Sequence, residues 1–153
     1  MLVLLMATHI LAAVFWVGGM AFAYTILRPA AGAIEPPVRL TLWRDVFSRF
    51  LPWVGLAIVA LLVSGYAMVF AIYGGFRQAP LFVHLMQGTG IVMMLIYLHL
   101  YFAPWRRMQI AVQDRQWPVA GQQLATIRKL VAINLVLGVI TILIGSTGRY
   151  WNW

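Results

Sequence analysis

The sequence predicts an all-α membrane protein, a four-helix transmembrane bundle, and three observations carry that prediction. Of 153 residues, 63% are hydrophobic and only 9% are charged, against the roughly 25% charged residues of an ordinary soluble domain. The mean hydropathy is +0.90. The apolar residues gather into four runs, each long enough to cross ~30 Å of hydrocarbon as a helix. The remaining length supplies only connections, so one compact membrane domain, residues 1–153, is expected.

The first span covers residues 2–27 and closes at Arg28-Pro29. Its Ala21-Phe22-Ala23 imitates a signal-peptide cleavage site, but no positive residue precedes the run and its apolar part is too long, so a retained helix is expected. Proline, glycine and charge then mark a loop. After Pro36-Pro37, the apolar residues Leu40, Trp43, Phe47 and Phe50 recur at helical spacing among Arg39, Arg44, Asp45 and Arg49. That pattern predicts an interfacial amphipathic helix over 38–49 that feeds the second span, 50–73, with Pro52 in the first turn of that span. Gly74-Gly75 ends the second span. The short link to Pro80 forces an antiparallel return into the third span, 81–104, which ends at Pro104-Trp105-Arg106-Arg107. A polar segment leads to the fourth span, 127–148, and an aromatic tail of Tyr150, Trp151 and Trp153 suits a membrane surface.

Charge sets the orientation. Nine of the eleven basic residues (Arg28, Arg39, Arg44, Arg49, Arg106, Arg107, Arg115, Arg128 and Lys129) lie in or beside the first and third connections, and only Arg77 and Arg149 lie at the other end. By the positive-inside rule both termini face out and both long connections face the cytoplasm. The net charge of +8 therefore meets lipid phosphates rather than nucleic acid. With no cysteine there is no disulfide or thiolate, so a metal must be held by His, Met, Asp, Glu or backbone. Glu35, Asp45 and Asp114 all lie in the cytoplasmic segments, which excludes paired carboxylates within the membrane. Gly18-Gly19 and Gly88-Thr89-Gly90 fall inside helices and cannot act as phosphate loops.

The three histidines are the chemically informative residues, because an imidazole without a partner in hydrocarbon costs several kcal/mol. His9 lies 19 residues before Arg28 and His84 lies 20 before Pro104. Depth counting thus puts both in the outer half of the membrane at similar height, where they can face each other across the first and third helices as a shared ligand pair. His99 lies roughly 22 Å deeper, beside Tyr97 and Tyr101. A haem b between His9 and His84 would find room at Gly65 with Ser64 and at Gly88 with Gly90. Trp16, on the His9 face, would line it, and Arg77 and Arg149 would meet its propionates. His99 would serve a second haem or a quinone. The competing ligand is copper, with Met6 one turn before His9 and Met68 near the outer end of the second helix joining His9 and His84. Met86, two residues from His84, points elsewhere. A third reading gives the histidines only interhelical hydrogen bonds. On the fourth helix Asn134, Gly138, Thr141, Gly145 and Gly148 form a small-residue stripe expected to pack on another helix; such stripes permit a homo-oligomer without requiring one.

Several of these runs together resemble a family. Thr8-His9-Ile10-Leu11 with Phe15-Trp16-Val17-Gly18-Gly19, then Ser64-Gly65, His84, His99-Leu100-Tyr101-Phe102, Trp105-Arg106-Arg107, Ile127-Arg128 and Asn134 resemble a small stand-alone member of the CopD family of bacterial inner-membrane proteins. That resemblance implies copper uptake or resistance. The His, Trp and Gly order on the first helix and the two third-helix histidines are also similar to the HemJ type of protoporphyrinogen oxidase, a four-helix haem-b protein. That family carries a lysine two residues after the first third-helix histidine, where this chain has Met86. The expectation from sequence is accordingly a b-type haem protein of electron transfer or membrane oxidoreduction, with a redox partner or quinone, and copper binding or transport as the alternative.

Overall fold

A computed structural model of the protein describes residues 1–151; Trp153 of the expected aromatic tail lies outside them. The chain forms four long helices and, among the described residues, no strand. Helix α1 is Leu2–Ala33, α2 is Pro36–Tyr73, α3 is Leu81–Gln113 and α4 is Trp117–Tyr150, all long and apolar enough to cross a membrane. Their boundaries follow from local chemistry. Proline occupies the first turns of α2 and α4, where its missing N–H is no loss. Gly74, at φ +72°, takes the left-handed cap of α2 and donates its N–H to the Phe70 carbonyl.

Two expectations about continuity change. The amphipathic stretch 38–49 is not a separate interfacial helix: it runs straight into the second span as one helix of 38 residues, about 57 Å long at ~1.5 Å per residue. No glycine or loop residue separates Phe47 from the apolar run, so the helix never stops. Pro52 therefore sits inside α2, where it removes one intrahelical bond, the one to the Ser48 carbonyl. Likewise the polar segment after Trp105 continues α3 to Gln113 and reappears after a tight turn as the first turns of α4. Within α1 and α3 a single wide π turn interrupts the α-helix, at Ala23–Leu27 and Tyr101–Trp105. Pro29 follows the first by two residues and Pro104 lies within the second, and a widened turn relieves the clash between a proline ring and the carbonyl four residues earlier.

Helix α1 packs chiefly on α2 and α3 chiefly on α4, while α4 also touches α1 and α2. Most of the core gathers at the basic end of the bundle, where Leu40, Trp43, Phe47 and Leu51 of α2 meet Leu100, Trp105 and Met108 of α3 and Leu124 and Ile127 of α4. A smaller cluster of Trp16, Val17, Met20, Val54 and Met93 fills the middle. At the His9 end the helices are held by polar bonds and glycine contacts instead.

The stripe on α4 packs as its spacing predicts. Asn134 Nδ2 donates to the Met93 carbonyl at 3.1 Å, and the Thr141 hydroxyl lies 2.7 Å from that of Thr89. A methyl group on Gly138 would stand 2.8 Å from a Val17 methyl carbon, and one on Gly145 would stand 2.9 Å from the Met86 sulfur. On Gly148 it would run into Phe82. By contrast, Gly18 and Gly121 face open space. Gly138→Ala should therefore destabilise the bundle by about 1–3 kcal/mol through overpacking. Gly18→Ala and Gly121→Ala should be neutral or slightly stabilising through helix propensity. Melting curves of the three variants in one detergent check this, and equal shifts would refute the assigned α1–α4 contact.

Candidate functional site

His9 and Ser64 make the polar contact that organises the non-basic end. Ser64, 2% exposed, is buried between α1 and α2, and its Oγ stands 3.0 Å from His9 Nδ1. The Ser64 hydroxyl also donates to the Ala60 carbonyl one turn back. A carbonyl only accepts, so the hydroxyl proton is committed there, and Ser64 Oγ receives the Nδ1 proton of His9. That assignment fixes the tautomer: Nδ1 is protonated and Nε2 keeps its lone pair. Gly65 completes the seat, since a methyl group there would come within 3.1 Å of His9 Cε1. The half-buried imidazole is thus held by the Ser64 hydroxyl and seated on Gly65, and in this tautomer its second nitrogen has the lone pair of a base or ligand.

The antiparallel register places two thioethers at this level. His9 of α1 lies against Ser64 and Gly65 of α2. One turn towards the same end of each helix come Met6 and Met68 respectively. Met6 is 47% exposed and Met68 is half-buried, so the interface opens as it nears the membrane surface.

His84 does not join this group. It is exposed on α3, with its ring 6.4 Å from that of Phe76. Phe76 in turn packs edge-on against Tyr66 and Phe70, and Gln87 Nε2 donates to the Tyr66 hydroxyl at 3.4 Å. Tyr66 and Ser64 are two residues apart, roughly 200° around a helix, so His84 and His9 engage opposite faces of α2. The expected pairing across the first and third helices therefore differs from the structure, in which those helices are not principal packing partners. This geometry does not support a haem b axially held by His9 and His84.

The other predicted residues divide in the same way. Trp16, 3% exposed, packs edge-on against Tyr97 at 6.4 Å, and the Tyr97 hydroxyl donates to the Leu51 carbonyl at 2.9 Å. Trp16 thus belongs to the mid-bundle core. His99 is exposed on α3. Gly88 faces open space. Arg77 is exposed in the turn Phe76–Gln78, and Arg149 is exposed with its guanidinium 5.1 Å above the Tyr150 ring. Among the described residues no three His, Cys, Asp or Glu side chains gather as a metal site, which leaves the thioethers as the additional donors. In the sequence Ser64 signals only a small residue that makes room; its role as the partner of His9 follows from the packing of α1 on α2.

Fold and site define a multi-pass membrane protein of four helices with an imidazole fixed near one end. The chain belongs to the CopD family: the model of that family, described as copper resistance protein D, matches residues 44–147. A protein of Aquifex aeolicus (strain VF5), described as uncharacterized, is 26% identical over 140 residues, covering 90% of this chain and 87% of its own. No solved structure matches the chain.

If the His9–Ser64 bond fixes the tautomer, nitrogen-15 spectra of histidine-labelled protein should show one of the three imidazoles held as the Nδ1–H form. Ser64→Ala should return that signal to a tautomer mixture while the other two stay put. Spectra unchanged by Ser64→Ala would remove the assignment.

Proposed function

We propose that this protein handles copper within the membrane, taking Cu(I) at the end of the α1–α2 interface through His9 Nε2 with the thioethers of Met6 and Met68. The observation that carries the reading is the committed hydroxyl of Ser64, which leaves His9 Nε2 unprotonated. A ligating imidazole needs its other nitrogen held in this way, by an acceptor that orients the ring. Imidazole and thioether are donors suited to Cu(I), and a chain without cysteine has no softer alternative. Membership of the copper resistance protein D family favours the same metal.

In this reading both termini and the His9 end face away from the cytoplasm of a bacterial inner membrane, as the charge distribution favours. Met6, the most exposed donor, receives the ion first, and His9 and Met68 hold it deeper between the helices. His84, with Phe76 and Tyr66, lies on the other face of α2 and takes no part in coordination. The chemistry supplied by the bound ion is transfer between soft ligands, with no bond made or broken in the protein.

Purified protein in mild detergent, titrated with Cu(I) against a chromophoric chelator, should bind about one ion per chain. His9→Ala should abolish binding, while Met6→Leu and Met68→Leu should each weaken it about tenfold or more. His84→Ala should leave the stoichiometry intact. Retention of copper by His9→Ala would defeat the proposal. A Soret band lost in His9→Ala, without copper, would replace it with the haem reading.

A further inference from the structure

At the opposite end of the bundle three arginines from three different helices converge without an acid. Tyr24, Arg28, Pro29 and Gly32 of α1, Arg39 of α2 and Arg128 of α4 line an open cavity of about 470 Å³. Among the described residues the only ion pair is Arg44 with Asp45, so none of the three guanidinium groups is neutralised. Each is nevertheless held in place. Arg28 lies over the Tyr24 ring at 5.0 Å and Arg128 over the Trp43 ring at 5.4 Å. Arg39 Nη1 donates to the Gly32 carbonyl at 3.3 Å. Three like charges held around one space repel one another, and an anion in that space relieves the repulsion.

A second observation points the same way. Trp43 and Arg128 also line a narrow crevice adjoining the cavity and sharing Tyr24 and Arg28 with it. Trp43 is 2% exposed, and both its indole Nε1 and Arg128 Nε are buried donors without an acceptor. Buried donors left unpaired are costly and rare in native structures. Arg128 lines the cavity itself, so an anion there would bring oxygen atoms to the guanidinium that carries one of these donors.

We infer that this cavity is a binding site for a phosphate-bearing anion, with Arg28, Arg39 and Arg128 as its charge partners. Guanidinium forks match phosphate oxygens bidentately, and the aromatic seats beneath Arg28 and Arg128 hold the forks ready. The cavity is larger than one inorganic phosphate needs and lies where the first span ends, at the level of a membrane interface. An anionic lipid headgroup and a soluble phosphate share the recognised chemistry. The inference stands apart from copper binding at the other end.

The test uses the full chain in a neutral detergent, titrated calorimetrically with dioctanoyl phosphatidylglycerol, with dioctanoyl phosphatidylcholine and with inorganic phosphate. The expected result is saturable binding of the phosphatidylglycerol at about one per chain, with each of Arg28→Gln and Arg39→Gln weakening it about fivefold. Arg107→Gln, an equal loss of charge on an exposed residue of the same end, should change it less than about twofold. Arg39→Lys keeps the charge and serves as a folded control, with helix content checked by circular dichroism. Inorganic phosphate that saturates the site and competes with the lipid would identify a soluble ligand, whereas binding of phosphatidylglycerol alone would identify the headgroup. Equal binding of both lipids, equal weakening by Arg107→Gln, or no binding of any of the three probes would overturn the inference.

Discussion

In hydrocarbon a polar group must find its partner within the protein, and this requirement decides how the four helices are joined. Each chain-adjacent pair is tied by a side-chain hydrogen bond that crosses the interface. His9 and Ser64 join α1 to α2, Tyr97 and the Leu51 carbonyl join α2 to α3, and Asn134 with the Met93 carbonyl joins α3 to α4. Individually such bonds contribute only about 0.6–2 kcal/mol, because the unassembled helices also find partners in lipid. Their larger effect is directional. Each fixes the rotation of one helix against the next, and apolar side chains in an apolar solvent cannot do that. Close contact at Gly138, Gly145 and Gly148 then sets the spacing that the bonds permit.

The two ends of the bundle are built differently as a result. The basic end has a packed aromatic and aliphatic core, in which Phe47 contacts both Trp43 and Trp105. Among the described residues the His9 end has no buried cluster of that size and depends on polar and glycine contacts and on the rings around Phe76. Stability is thus concentrated at one end and adaptable donor groups at the other. This division also explains why the arginines can be held against one another: the aromatic core supplies rigid rings on which guanidinium groups rest.

Much of this was legible in the sequence, for identifiable reasons. The four spans were plain because long apolar runs have few alternatives in lipid, and the α4 stripe was plain because residues three and four apart share a helix face. Rotation about the bundle was not. Counting placed His9 and His84 at one height but carried no information on which helices are neighbours, and α1 turned out to pack on α2 with α3 paired to α4. The continuity of α2 was missed because an amphipathic segment beside an apolar one reads as two elements even when nothing breaks the helix. The arginine cavity was half visible: charge bias sent Arg28, Arg39 and Arg128 to the same end, but their convergence depends on three helices meeting.

The π turns in α1 and α3 have a meaning of their own. Such a turn amounts to a single-residue insertion absorbed without ending the helix, and it advances every later side chain by about 100° relative to an uninterrupted α-helix. In both helices it falls between the stretch that carries the histidines and the stretch that builds the basic end. The turns therefore act as phase shifters. The face a helix shows to the membrane interior and the face it shows beyond it are set separately, and sequence change at one end need not rotate the other out of register.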